Sequence, residues 1–385
     1  MTEMDMKMVK INISHKEIQK RKALLDDWSR FENKRIPVWL FVDQPFLCRV
    51  DHILMRDIYR DPLALVRSQI NGWKYVLENV DCDNDSVPVS IYFGTCLVAS
   101  SYGCQVIIQD HSEAAAEIWF KDENDLARLE KIDTFAEGLK PKEIEYYHIL
   151  KKKQDTLGYQ FEGGDPVFPL RDISLSAHSD GPFSIACMIA GFDTVCLWCY
   201  EKPDLVKAML EIITAKEIDR IRRTYELMGR EIKEIFLADD YSPYLSLAMY
   251  EEFVLPYQLR FLNALSRKVL FHSCIMDKKL LTHWRDDLEI RLFNGFKPRE
   301  TLKDIISTYT PVKDCMGGKV LLEPDLNGAH FLIAQETQVD QAARDFHQVF
   351  NGVKGVKLGV TLSGGHPLDD IQKMNRFKIT ISSLK

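Results

Sequence analysis

The sequence KVLFHSC, residues 268–274, predicts a buried strand that ends in two side chains able to bind a metal. Side chains two positions apart in an extended segment point to the same face, so His272 and Cys274 should reach a common ion. An imidazole nitrogen combined with a thiolate sulfur suits zinc. The alternative is a hydrogen-bonded histidine and an inert core cysteine at the end of an ordinary strand.

Eight apolar runs of β type, including this one, alternate along the chain with longer amphipathic segments. The segments 205–228, 248–267 and 339–350 have the apolar spacing of helices. Such alternation implies a mostly parallel sheet covered by helices, and eight strands would close it as a barrel. We therefore predict an α/β fold, a (β/α)8 TIM barrel. The eight runs are residues 36–42, 87–93, 172–178, 232–238, 268–271, 288–293, 319–322 and 356–362.

Polar residues and glycines follow nearly every run, where a (β/α)8 barrel carries its active site. An open doubly wound sheet would concentrate such residues at one switch point, so the distribution favours the closed barrel. The residues that follow the runs are Asp43, Gly94 and Thr95, Asp180 and Gly181, Asp239 and Asp240, His272 and Cys274, Asn294, Glu323 and Asp325, and Gly364, Gly365 and His366.

The chain is expected to form a single domain over residues 1–385, with two additions to the barrel. A charged helical extension is predicted at residues 1–34, and an insertion after the second strand at residues 112–168. These additions would cover the mouth of the barrel or mediate dimerisation, which makes a homodimer a candidate assembly.

Two strand ends carry candidate catalytic residues. Asp239 and Asp240 follow the run 232–238, and because adjacent strand residues point to opposite sides, one of them should face the cleft. That residue could accept a proton, anchor the substrate or contact the metal-binding histidine, whereas the alternative is a helix cap. Asp180 and His178 could form a second pair on the barrel-facing side, although Asp180 could equally cap a helix.

The composition argues against several classes of protein. Of 385 residues, 46% are hydrophobic and 28% are charged, as in ordinary globular proteins. A net charge of −7 argues against a nucleic-acid-binding surface, and no apolar stretch approaches the roughly 20 residues of a membrane span. The nine cysteines show no disulfide spacing, and the N-terminus shows no signal-peptide pattern. We expect a soluble cytoplasmic protein that binds neither nucleic acid nor membranes.

Several short motifs are informative through their order and spacing. They are FGT (93–95), ASSYGC (99–104), GPFS (181–184), AGF (190–192), DD (239–240), YEEFVLPY (250–257) and LFHSC (270–274). Together they resemble the uroporphyrinogen decarboxylase superfamily, which includes cobalamin-dependent methyltransferases. The resemblance spans about residues 35–377 and implies a (β/α)8 barrel with a cleft at its C-terminal mouth.

The resemblance implies different chemistry in the two branches of that superfamily. The decarboxylases use no metal, hold the carboxylates of a tetrapyrrole with an arginine-rich segment and use an aspartate at the end of an early strand. The corresponding segment here, VDQPFL at residues 42–47, has no paired arginines, and the aspartate position falls near Gly94 or Thr95. Decarboxylation of uroporphyrinogen is therefore not expected.

The methyltransferase branch holds zinc with a His-x-Cys pair and a later cysteine, and the zinc lowers the pKa of a substrate thiol. His272 and Cys274 match the first two ligands. Where the later cysteine is expected, the chain reads SGGHP at residues 363–367, with Gly365 at or next to the cysteine position. His366 could replace that ligand, hydrogen bond an anionic substrate or cap the loop.

These features predict a methyltransferase that moves a methyl group between a corrinoid, either cobalamin or a corrinoid-protein partner, and a small donor or acceptor, with zinc at the barrel mouth. One alternative is a metal-free decarboxylase of a porphyrinogen or another carboxylated substrate. A second alternative is a non-catalytic protein that binds a corrinoid or tetrapyrrole. The predicted metal ligands are His272, Cys274 and His366, and the predicted catalytic residues are Asp239, Asp240, Asp180 and His178.

Overall fold

The computed structural model describes residues 8–298, 301–362 and 371–384, which form parallel strands surrounded by helices. The strands are β1 Val9–Ser14, β2 Val38–Val42, β3 Val106–Ile107, β4 Ala115–Ala116, β5 Tyr159–Glu162, β6 Ile235–Ala238, β7 Val269–His272, β8 Ile290–Asn294, β9 Leu321–Glu323, β10 Asp325–Asn327 and β11 Leu358–Leu362. The helices are α1 His15–Ser29, α2 Gln44–Val50, α3 Met55–Ile58, α4 Pro62–Asn79, α5 Cys96–Ser101, α6 Leu126–Lys131, α7 Lys140–Lys152, α8 Pro182–Ala190, α9 Phe192–Glu201, α10 Pro203–Met228, α11 Leu247–Phe253, α12 Leu255–Leu265, α13 Ile305–Met316, α14 Gly328–Ile333, α15 Glu336–Phe350 and α16 Ile371–Ser383.

Parallel strands form the wall of the barrel. Strands β6, β7, β8 and β9 pair in this order, and β10, β11 and β2 form a second parallel set. A bridge between Leu322 and Val356 joins the two sets, and a bridge between Ser179 and Leu237 adds the third predicted strand beside β6. The predicted (β/α)8 barrel is confirmed, and six of the eight runs contain a regular strand whose ends lie within three residues of the predicted ones.

The second predicted strand, residues 87–93, is not a regular strand, so that part of the prediction is wrong. Just before it, the side-chain amide of Asn84 accepts from the N–H of Leu40 at 2.9 Å and donates to its C=O at 3.1 Å. The Gln69 amide makes the same two contacts with the backbone of Ser90, at 3.1 and 3.0 Å. Because buried backbone groups need partners, these amides replace the missing strand pairing on this side of the barrel.

The third predicted strand, residues 172–178, is also irregular, and charged side chains hold its backbone. The N–H of Ser176 donates to Glu143, and its C=O accepts from Lys140 at 3.5 Å. The C=O of His178 accepts from Arg220 at 2.6 Å. All three charged side chains are fully buried, so helices α7 and α10 take the place of a neighbouring strand.

The N-terminal extension is not wholly helical, in contrast to the prediction. Strand β1 precedes α1 and pairs in parallel with β5 of the insertion, with Val9 opposite Tyr159. The sequence VKINIS alternates apolar and polar residues, which is the period of a strand rather than of a helix. The extension and the insertion are therefore joined by a small two-stranded sheet.

The predicted helices are present, with one break. Helices α10 and α15 cover the segments 205–228 and 339–350, whereas the segment 248–267 contains two helices, α11 and α12, separated at Val254. Pro256 explains the break, because proline lacks the N–H that a continuous helix would need at this position.

Apolar side chains from both halves of the chain form one continuous buried cluster between the strands and the helices. Behind β7 and β8, the rings of Phe271, Trp284 and Phe293 contact one another, with centroids 4.9 to 5.9 Å apart. This packing fixes the two strands that position the predicted metal site. Within the described ranges, no single helix is long and apolar enough to cross a membrane, and α8 with α9 meets that criterion only as a pair bent by 108°.

Candidate metal centre

Three neighbouring strands bring the site residues to the same end of the barrel. Ala238 of β6 lies opposite His272 of β7, which lies opposite Asn294 of β8. Because residues paired across neighbouring parallel strands point to the same face of the sheet, these three side chains lie on one side of the barrel wall. The residues that directly follow β6 and β7 can therefore meet at its mouth.

Three donor atoms of different chemistry meet here. Sγ of Cys274 lies 3.3 Å from Nε2 of His272, and Oδ1 of Asp240 lies 3.9 Å from the same nitrogen. All three atoms lie within 4.8 Å of one another, and all three residues are half-buried. The structure thus brings the predicted pair together and adds an oxygen donor from β6.

Asn294 orients the histidine, a role that the sequence prediction missed. Its Oδ1 accepts a hydrogen bond from Nδ1 of His272 at 2.9 Å. This contact assigns the proton to Nδ1 and leaves the lone pair of Nε2 directed at Cys274 and Asp240. Histidines that bind metals normally have such a partner on the second ring nitrogen. Asn294 follows a predicted strand, but its partner depends on the register between β7 and β8.

Gly295 makes room for the imidazole ring. Its φ is +88°, and a Cβ atom at this position would lie 2.2 Å from Cε1 of His272. Any larger residue would strain the backbone and displace the ring. A glycine in a strand-end loop is too common for the sequence to reveal this requirement.

The thiol of Cys274 is protonated at neutral pH in these surroundings. Burial raises the pKa of Cys274 to about 11, and the neighbouring Asp240 adds to the shift. The N–H of Cys274 also donates to Oδ1 of Asp240 at 2.6 Å, which holds the two residues together. Metals bind the thiolate form of cysteine, so binding of a metal here would release a proton.

Asp239 does not face the cleft. It is 1% exposed, and its Oδ1 accepts from the N–H of Ser242 and from Oγ of Ser184, each at 3.1 Å. Its Oδ2 accepts from Gln258 at 2.7 Å, and burial raises the pKa of Asp239. These partners hold Asp239 in the core, and of the two adjacent aspartates only Asp240 lies within reach of both His272 and Cys274.

His178 and Asp180 lie on the irregular third strand, near the donor cluster. Burial lowers the pKa of His178 to about 4, with Arg220 adding to the shift, and Nδ1 of His178 lies 2.5 Å from Oγ of Ser176. Burial raises the pKa of Asp180 to about 7, with Glu217 adding to the shift. Oδ2 of Asp180 is buried without a hydrogen-bond partner. At neutral pH the pair therefore combines a neutral imidazole with a carboxyl group close to its pKa.

Asp325 occupies the part of the mouth formed by β10 and β11. Its Oδ2 accepts from Oγ1 of Thr361 at 2.6 Å, and Nζ of Lys297 lies 3.7 Å from the same oxygen. Burial raises the pKa of Asp325, and its Oδ1 has no hydrogen-bond partner. Glu323, in contrast, forms an ion pair with Lys357 at 2.7 Å.

The predicted third ligand, His366, lies outside the described residues, as do Gly364 and Gly365. Its role as a metal ligand stays a prediction. Asp240 supplies the third donor among the residues that the structure describes.

Comparison with known proteins identifies the family. No match was found among curated proteins. A methyltransferase from Methanosarcina mazei has a similar structure, with a TM-score of 0.62 and 14% identity over 93% of this chain and 98% of that chain. A B12-independent methionine synthase from Shewanella sp. W3-18-1, in complex with selenomethionine, has a TM-score of 0.32 and 12% identity over 62% and 65% of the chains. The family model "Uroporphyrinogen decarboxylase (URO-D)" matches residues 19–377, so this chain belongs to the uroporphyrinogen decarboxylase family.

Proposed function

We propose that this family member is a methyltransferase that moves a methyl group between a corrinoid and a small donor or acceptor. The observation that carries the proposal is the meeting of nitrogen, sulfur and oxygen donors within 4.8 Å at the barrel mouth. The corrinoid would be free cobalamin or the cofactor of a partner protein. A methyltransferase from Methanosarcina mazei has the same fold, which supports the reaction class by analogy of fold alone.

The described residues fit a divalent metal, and zinc best. Asp240, His272 and Cys274 offer the oxygen, nitrogen and sulfur donors that zinc takes, and three protein ligands leave one position for substrate. The contact between His272 and Asn294 fixes the ring in the tautomer that a metal ligand needs. His366, the third ligand predicted from the sequence, is proposed as an alternative to Asp240, so that the protein supplies three ligands in either case.

The chain's own groups would act around that metal. A zinc ion held here would supply the positive charge that lowers the pKa of a substrate thiol. Without metal the pKa of Asp180 is about 7, and this carboxyl group is proposed to accept or donate a proton during the reaction. His178, whose pKa is about 4, stays neutral and acts through hydrogen bonds. Asp240 orients Cys274 through its backbone N–H.

The charges of the mouth fit a porphyrinogen decarboxylase poorly. Among the described residues, Asp180, Asp240 and Asp325 lie around the opening, and Lys297 lies beside Asp325. A substrate with several carboxylates would meet repulsion from this surface. Conversion of uroporphyrinogen to coproporphyrinogen by the purified protein would favour the decarboxylase alternative over methyl transfer.

Metal analysis of protein purified without added metal tests the site. We expect about one zinc ion per chain, and its loss in the His272→Ala and Cys274→Ser variants. Cys315→Ser is the matched control, because Cys315 is also a half-buried thiol but lies in α13, where its Sγ accepts from Arg285 at 3.4 Å. Loss of zinc from the control variant would show that the effect is not specific to the site.

An assay of methyl transfer from methylcobalamin to a small thiol tests the reaction. The change in absorbance on cleavage of the cobalt–carbon bond measures the rate. We expect turnover by the wild type and by Cys315→Ser, and a rate lower by about 100-fold or more in the two ligand variants. The proposal would be contradicted if the purified protein contained no metal and the His272→Ala substitution left the rate of methyl transfer unchanged. Tight cobalamin binding without methyl loss would indicate the non-catalytic alternative.

A further inference from the structure

We propose that Glu113, in the loop between β3 and β4, contacts the small-molecule substrate, and that this side of the mouth binds a cationic head group of the ammonium type. The inference rests on the methyl-transfer function proposed above and specifies the chemical class of the small donor or acceptor. It assigns a binding role to the insertion, which the sequence left open between covering the mouth and mediating dimerisation.

The loop that carries Glu113 is fixed to the barrel. Asp110 forms an ion pair with Arg56 at 3.0 Å, and its C=O accepts from the N–H of Met55 at 2.9 Å. His111 is exposed, whereas Glu113, two residues later, is half-buried. The anchored loop therefore directs this one carboxylate toward the mouth rather than into solvent.

Glu113 occupies the strand end at which the sequence has no carboxylate of its own. A Cβ atom at Gly94, whose φ is +87°, would lie 3.0 Å from Oε2 of Glu113. The N–H of Thr95 donates to the same oxygen at 3.4 Å. Gly94 thus leaves space for a carboxylate that comes from a different segment of the chain.

The surroundings of Glu113 lack a compensating cation. Within the described part of the chain no lysine, arginine or histidine forms an ion pair with it, and burial raises the pKa of its carboxyl group. Burial also raises the pKa of Tyr92, and the charges of Glu113 and Asp180 add to that shift, so the tyrosine lies near both carboxylates. Its ring offers the aromatic surface on which cations pack.

Two buried oxygens at the mouth have no partner among the described residues and are available to a ligand. Oδ2 of Asp180 has no hydrogen-bond partner, and neither has Oδ1 of Asp325, whose side chain is 4% exposed. Unpaired buried acceptors are costly, and such groups are normally paired with protein, water or a ligand. A metal bound by Asp240 and Cys274 would compensate the negative charge on that side of the mouth. A cationic ligand would compensate the negative charge of Glu113 and Asp180 on the other side.

Calorimetric titration with tetramethylammonium chloride tests the proposal on the full-length protein. We expect saturable binding by the wild type, weakened about tenfold or more in Glu113→Gln. Glu117→Gln is the matched control, because Glu117 belongs to the same hairpin but is exposed, and its affinity should be unchanged. Glu113→Asp retains the charge and should recover part of the binding, and thermal unfolding of each variant checks that it folds.

tert-Butanol, a neutral molecule of similar size and shape, serves as the second probe. Equal affinity for both probes, no binding of tetramethylammonium, or unchanged binding in a folded Glu113→Gln variant would overturn the inference. Metal content measured on the same samples separates the two proposals. If the protein contains its metal but does not bind tetramethylammonium, only the proposal of a cation site is overturned. If it binds tetramethylammonium but contains no metal, only the proposal of a metal site is overturned.

Discussion

Asp83 and Asp325 are buried to nearly the same degree, 2% and 3% exposed, at opposite ends of the barrel. At the amino-terminal end, the two oxygens of Asp83 accept from Arg35 at 2.8 Å each, and one also accepts from Lys378 at 3.1 Å. At the carboxyl-terminal end, Oδ1 of Asp325 has no partner, and Lys297 lies 3.7 Å from the other oxygen. At the amino-terminal end, here called the closed end, the buried carboxylate is fully paired. At the carboxyl-terminal end, here called the open end, buried acceptors remain unpaired.

The two surroundings shift the carboxyl pKa in opposite directions. Burial opposes ionisation of Asp83, but the hydrogen bonds from Arg35 and the charge of Lys378 hold its pKa below the ordinary value. Burial raises the pKa of Asp325 despite the charge of Lys297. In (β/α)8 barrels the amino-terminal end serves stability and the carboxyl-terminal end serves chemistry. Asp83 therefore stabilises the fold, whereas Asp325 is available to a ligand.

The largest expected effect is a loss of stability on removal of the Asp83 carboxylate at the closed end. Asp83→Asn should lower the free energy of unfolding by about 3 kcal/mol, because it leaves two cationic side chains without their buried partner. Asp325→Asn, its counterpart at the mouth, should change stability by less than about 1 kcal/mol, because little pairing is lost. Equilibrium unfolding in urea measures both values, and equal losses would refute the comparison.

A smaller effect is expected at Gly295, in the open end. Gly295→Ala should weaken zinc binding about 10- to 100-fold, because the methyl group would displace His272. Gly318→Ala is the matched control, since Gly318 also has a positive φ, +71°, but no atom lies within 4 Å of the added Cβ. Competition with a zinc-binding dye measures the affinities. A similar loss in both variants would attribute the effect to backbone strain rather than to the imidazole.

The smallest effect is expected for Asp180. Its substitution by asparagine should raise stability at pH 8, whereas the same substitution of Asp83 should lower stability. The folded-state pKa of Asp180 is raised to about 7, so the stability contributed by its protonated form is present below about pH 4 and lost as the pH rises through 7. Asp180→Asn should therefore make the metal-free protein more stable than the wild type at pH 8, by about 1 kcal/mol, with no difference at pH 4. Urea unfolding at both pH values measures this, and destabilisation at pH 8 would show that the carboxylate is paired.

Local sequence patterns were sufficient for the regular part of the barrel. Six apolar runs became strands because buried parallel strands need uninterrupted apolar residues, and the alternating VKINIS segment contained the signal for β1. The runs 87–93 and 172–178 failed as regular strands because side chains distant in sequence, such as Gln69 and Arg220, satisfy their backbone groups instead. No local pattern reports such partners.

The same division applies to the candidate site. The spacing of His272 and Cys274 required only the two-residue period of a strand, so the sequence by itself determined that they could share an ion. Only the tertiary structure decided that Asp240 joins them while Asp239 caps a turn, that Asn294 orients the imidazole, and that Glu113 reaches the strand end at Gly94. These outcomes depend on strand register and on the path of a loop, and both are set by packing between segments far apart in the chain.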